Sequence, residues 1–164
     1  MKQIFNWKRN FFNGAYQIYS HGTIIGSMRE KPFSNTAFGA MNGKNYKFTN
    51  SGFLNRAAQI IDLESNSSIG KITYNTWMTK ARIKFADKEI TWRFINTWKS
   101  KWNIFDSSGV YMNYNSSVTS GKIEFEEQNA LLLLTGLYIY NYHRSYTMAI
   151  IFAALIPILT LALH

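Results

Sequence analysis

The densest chemical signal in this chain is cationic. Between Lys71 and Lys101 stand Lys71, Lys80, Arg82, Lys84, Lys88, Arg93, Lys99 and Lys101, against only Asp87 and Glu89. In an extended strand Lys80, Arg82 and Lys84 fall on one face, and Ala81, Ile83 and Phe85 on the other. A cationic row above an apolar underside recruits anions, whose source is a phospholipid headgroup or a nucleic-acid backbone. Trp92, Phe94, Trp98 and Trp102 share a parity and interleave with Arg93, Lys99 and Lys101, adding an aromatic component suited to a membrane interface or to base stacking.

Constellations for catalysis are sparse. His21, His143 and His164 are far apart and lack metal-ligand spacing. The chain has no Cys, which excludes a thiolate nucleophile, disulfides and Cys-ligated zinc. Asp62 and Asp106 each precede a Ser-containing turn, where an Asx turn accounts for them. Glu124, Glu126 and Glu127 suit the electropositive start of a helix. There is no Gly-rich phosphate loop, Ser elbow or dinucleotide fingerprint. The balance favours a binding protein over an enzyme, with no cofactor and no metal.

The elements that must hold the basic row belong to one domain-sized body. Of 164 residues 46% are hydrophobic, and the formal charge is +9. All nine acidic residues precede position 129, beyond which Arg144 is the one charged residue. Met1 to Phe12 carries Lys2, Lys8 and Arg9 without an uninterrupted apolar stretch, so no cleaved secretion signal is expected there. The body alternates apolar and polar residues in short runs. Candidate strands are 14–19, 23–28, 45–49, 59–63, 69–74, 80–85, 89–95, 101–106, 109–114 and 122–125. The turn signals between them include Ser20-His21-Gly22, Asn42-Gly43-Lys44, Asp87-Lys88 and Ser107-Ser108-Gly109. Many short strands predict a barrel or sandwich.

Sliding the sequence by 44 residues lays Ile25-Gly26 on Ile69-Gly70, Gly43-Lys44 on Asp87-Lys88, and Asp62 on Asp106. That predicts one β unit used twice, with no third copy evident.

After the body, Asn129 reads as an N-cap, and Ala130 to Tyr140 is apolar all round. A helix of that kind must be enclosed; at about 16 Å it is too short for a bilayer, so protein is the expected enclosure. A second apolar helix is expected over 145–163, around Pro157. Its reach of about 29 Å predicts a single-pass C-terminal membrane anchor, with the main domain cytoplasmic because basic flanks favour that side. Tyr138, Tyr140, Tyr142, His143, Arg144 and Tyr146 would form an interfacial collar, joined there by Trp98 and Trp102.

A β-rich body with repeated units and an apolar helix opening at Asn129-Ala130-Leu131-Leu132, together with Gly52-Phe53-Leu54-Asn55-Arg56 and Asp62, resembles the tubby-like β-barrel superfamily. That group includes the phospholipid scramblases and LURP-one-related proteins. The resemblance covers roughly residues 14–142 and implies a closed antiparallel barrel of about twelve strands threaded by its C-terminal helix. It also implies a membrane-proximal role. The domains expected are therefore a barrel over 1–142, including the enclosed helix 129–142, and the anchor over 145–163. The function expected is non-catalytic binding of anionic phospholipid through Lys80, Arg82, Lys84, Arg93, Lys99 and Lys101. The alternatives are a soluble nucleic-acid-binding module using 71–102, and a scramblase-like lipid transporter.

Overall fold

The computed structural model describes residues 1–32, 34–51 and 56–162. Twelve strands run β1 (Gln3–Arg9), β2 (Tyr16–Ser20), β3 (Thr23–Glu30), β4 (Thr36–Met41), β5 (Lys44–Asn50), β6 (Ala57–Asp62), β7 (Ser67–Tyr74), β8 (Lys80–Phe85), β9 (Lys88–Phe94), β10 (Lys101–Asp106), β11 (Gly109–Ser116) and β12 (Ser120–Phe125), followed by α1 (Ala130–Ala162). Each strand pairs antiparallel with its neighbours in sequence, and β1 pairs with β12 to close a barrel. The fold is thus mainly β, as the alternation predicts. The resemblance-bearing residues Gly52 to Asn55 lie outside the described residues.

The two strands that the pattern does not disclose are β1 and β4. Along β1 the inward Phe5 and Trp7 are buried, but Lys2, Lys8 and Arg9 make the segment read as a basic terminus. β4 carries small residues because the helix lies against it. A β-carbon on Gly39 would sit 3.2 Å from Leu134 Cδ1, so a strand-like, bulky sequence has no room there.

Leu132 to Tyr140 are buried on every side of α1, which answers the all-round apolar sequence. Each fully buried Leu or Ile contributes about 1.5–3 kcal/mol relative to exposure. The barrel also reaches into the helix backbone: Trp92 Nε1 donates to Gly136 O at 3.2 Å, and Tyr114 Oη donates to Leu132 O and Leu133 O, each at 3.2 Å. Asn129 caps α1, its Oδ1 accepting from Leu132 N–H at 3.0 Å.

The repeat is present at the level of whole elements. β3, β4, β5 and β6 map onto β7, β8, β9 and β10 with identical bounds after a 44-residue shift. Register shifts occur at Ile18/Tyr19, Ile60/Ile61 and Ile104/Phe105, so a bulge recurs every fourth strand pair around the barrel. The third occurrence is one that sequence comparison does not expose. Both equivalent aspartates make Asx turns: Asp62 Oδ1 accepts from Glu64 N–H at 2.9 Å, and Asp106 Oδ1 from Ser108 N–H at 2.7 Å.

The C-terminal region differs from expectation. One continuous helix replaces the two expected, and among the described residues no helix is long and apolar enough to cross a membrane. Asn141 to Arg144 place polar groups in mid-helix. The single-pass anchor over 145–163 is therefore overturned, and the cytoplasmic placement that rested on it falls too. Residues 163 and 164 lie outside the described residues.

Candidate functional site

The barrel has two unlike ends. α1 enters between β12 and the tight turns at 21–22, 42–43, 86–87 and 107–108, several built on left-handed His21-Gly22 and Asn42-Gly43 backbones. This entry end holds Asp62, Glu64, Asp87, Glu89, Asp106, Glu124, Glu126 and Glu127 at or within two residues of a strand terminus. The ninth carboxylate, Glu30, is at the exit end, where α1 emerges. There, Lys8, Arg9, Arg29, Lys31, Arg56, Lys80, Arg93, Lys99, Lys101 and Arg144 lie at strand ends, in loops or on the emerging helix. The exposed aromatic rings Phe11, Phe12, Trp77 and Trp98 are there as well, with Ile95 and Val118, whereas the exposed apolar side chains near the entry end, Met1, Ile4, Ile24, Leu63 and Val110, are aliphatic.

Two of the exit loops are copies of each other. Asn75-Thr76-Trp77-Met78-Thr79-Lys80 and Asn96-Thr97-Trp98-Lys99-Ser100-Lys101 share an Asn-Thr-Trp-x-Ser/Thr-Lys pattern. Asn75 Oδ1 accepts from Thr79 N–H (2.8 Å) and Lys80 N–H (3.0 Å), and Asn96 Oδ1 from Ser100 N–H (3.1 Å) and Lys101 N–H (2.9 Å). Each Asn amide nitrogen also donates to the Thr79 or Ser100 hydroxyl. The asparagine thus substitutes for backbone pairing and holds a tight loop. Met78 and Lys99 adopt left-handed φ values of 55° and 54°. The result is two braced loops with Trp77 78% and Trp98 88% exposed at their tips. Both rings are thus held in water by the same side-chain bracing. The duplicated motif is the sequence signal that would have found Trp77.

Barrel closure builds a cationic depression that no linear stretch contains. Lys8, Lys101 and Lys122 line an open groove of about 520 Å³ with Asn6, Asn115 and Ser120. The register explains it: Lys101 is opposite Asn115, Asn115 opposite Lys122, and Lys8 opposite Ser120. Lys8 and Lys122 escape a linear scan because β1 and β12 meet only on closure.

The expected basic row is real as a strand face, since Lys80, Arg82 and Lys84 are exposed while Ala81 and Ile83 are buried. It is not uniform in charge. Arg82 Nε pairs with Glu89 Oε1 at 3.0 Å, and Lys84 stands opposite Glu89. Lys80 faces Arg93 directly across the strand pair, and Lys71 faces Lys84. Such like-charge pairs oppose folding and are relieved by an anion. The Arg93 guanidinium lies 4.5 Å over the Phe105 ring. Lys99 and Lys101 belong to the second tryptophan loop.

The aromatic residues divide by location. Trp92 and Trp102 are buried; Trp102 stacks on Tyr140 at 4.1 Å and on Tyr114 at 5.2 Å. Trp102 is therefore corrected from interface residue to core, because irregular residues 95–100 break the parity that joined it to Trp98. His143 is corrected as well. It is buried, with Nδ1 2.7 Å from the Met78 carbonyl and its ring against Phe94. Burial pushes its pKa down, opposed by the Met78 carbonyl. The collar thus plugs the barrel mouth: Tyr142 is half-buried on Tyr74, Arg144 Nη1 donates to Val118 O at 3.0 Å, and Tyr146 is half-buried.

No group of three or more His, Cys, Asp or Glu that could hold a metal occurs among the described residues. No family model matches the chain, and no curated protein matches it.

Proposed function

We propose that this protein is a tubby-like barrel whose function is to dock on anionic phospholipid surfaces through its exit end, as a binding protein and not a catalyst. One observation carries the reading. Cations, braced tryptophan tips and the emerging apolar helix share one end of the barrel, while eight of nine carboxylates are at the other. An anionic surface attracts a nearby Lys or Arg by about 1 kcal/mol each, and Trp rings settle at headgroup level. The barrel's charge separation orients the approach before contact. Headgroup-level contact needs no spanning segment. The nucleic-acid reading is weakened by the burial of Trp92 and Trp102, which leaves Trp98 as the one exposed tryptophan of the set Trp92, Trp98 and Trp102.

Flotation with phosphatidylglycerol-containing vesicles, against phosphatidylcholine vesicles alone, tests the proposal. Binding to the anionic vesicles that weakens as salt rises is expected. Equal partition onto both vesicle types, or a mobility shift on nucleic acid tighter than the vesicle binding, overturns it.

A further inference from the structure

Beside α1 at the exit mouth lies a small polar cavity of about 170 Å³, lined by Glu30, Asn50, Tyr138 and Tyr142 among others. It has room for several waters or one small organic group. Asn50 is 5% exposed; its side-chain amide interacts with the Tyr142 phenol, and neither its Oδ1 nor its Nδ2 makes a hydrogen bond of good geometry. A buried amide so weakly paired keeps hydrogen-bonding capacity for a ligand. Glu30 supplies a carboxylate at the same mouth, and Tyr138 and Tyr142 supply aromatic walls of the kind that attract cations. The carboxyl is crowded enough that desolvation raises its pKa, with Arg9 and Asn141 opposing the rise.

Glu30, Ser34 and Asn35 also line a second, open depression of about 840 Å³, whose other walls include Arg9, Arg29, Lys31, Phe11 and Phe12. Arg9 Nε is buried and unpartnered. The two hollows therefore meet along a shared edge. The inner one offers a carboxylate, a buried and weakly paired amide, and tyrosine rings. The outer one offers guanidinium and ammonium groups beside exposed aromatic rings.

We propose that this double site takes a phosphate ester bearing a primary ammonium group, the chemistry of an ethanolamine phosphate headgroup; its lipid source rests on the docking reading above. The phosphate lies among the cations of the outer depression. The ammonium enters the inner cavity, donating to Glu30 and Asn50. A trimethylammonium has no N–H to give either group and is bulkier, so the site discriminates against choline.

Flotation of the full chain on vesicles of constant phosphatidylglycerol content tests this, the remaining lipid being phosphatidylethanolamine in one set and phosphatidylcholine in the other. Wild type is expected to bind the ethanolamine set about tenfold more tightly, as one ion-assisted hydrogen bond allows. Glu30→Gln should lose that preference while still binding the choline set, which also reports that the barrel is folded. Equal wild-type affinity for both sets, or a preference that survives in Glu30→Gln, overturns the proposal. Failure to bind either set overturns the docking reading instead. Competition by soluble O-phosphoethanolamine would show that the free ester is accepted. A preference lost in Glu30→Gln but indifferent to the soluble ester assigns the site to lipid.

Discussion

The two ends of this barrel are built from the same strands and follow opposite rules. At the entry end the strands are joined by short polar turns, and Asp62, Glu89 and Asp106 serve local structure. Asp106 accepts from Ser108 N–H and Oγ and from Tyr111 Oη, with Lys88 nearby. At the exit end the loops are longer, carry exposed rings and cations, and in two cases are braced by a half-buried asparagine. Groups at the entry end are largely satisfied by neighbours; those at the exit end include like-charge pairs and unpartnered polar atoms. On the docking reading proposed above, unsatisfied chemistry, more than charge count, distinguishes the end that binds.

The contrast can be broken most directly by charge removal. Replacing Lys8, Lys101 and Lys122 with Gln should weaken binding to phosphatidylglycerol vesicles about 100-fold, from roughly 1 kcal/mol per cation. The matched entry-end triple Lys2, Lys44 and Lys88→Gln should change it by less than about threefold, and similar losses in both triples would erase the distinction. Trp77→Ser with Trp98→Ser should cost about tenfold in vesicle affinity, read by flotation, and should abolish a blue shift of tryptophan emission on binding. A shift that persists would locate the contact elsewhere.

Bracing is a smaller effect. Asn75→Ala removes the side chain that organises the first tryptophan loop and should lower unfolding stability by about 1–2 kcal/mol in a denaturant titration. A change nearer zero would mean that the loop stands without it.

The smallest effect belongs to the entry end. Hydrogen bonds from Ser108 and Tyr111 hold the Asp106 carboxyl down at about 2, below its ordinary 3.8. Because the folded value is the lower one, its stabilisation is present above about pH 4 and is lost as pH falls toward 2. Asp106→Asn should flatten the melting-temperature curve in that window and leave vesicle binding unchanged.

Legibility followed the range of the interactions. The alternation over 80–85, the Asx turns at Asp62 and Asp106 and the N-cap at Asn129 are local, and each stands in the structure as its residues imply. The 44-residue repeat was readable because the turns reuse their chemistry. Trp102 misled because its parity with Trp98 crosses an irregular loop. The lysine groove was invisible, since its members come from three strands, two of which meet only when the barrel closes.

By itself the sequence determined an antiparallel β body and a helix that had to be sheltered, because alternation and all-round apolarity depend on residues a few positions apart. The closed barrel of about twelve strands around that helix was expected only through the family resemblance; only the tertiary structure decided that the two apolar stretches form one continuous rod, and that cations and tryptophans gather where it emerges. Those outcomes depend on register and closure, which bring together side chains more than a hundred residues apart.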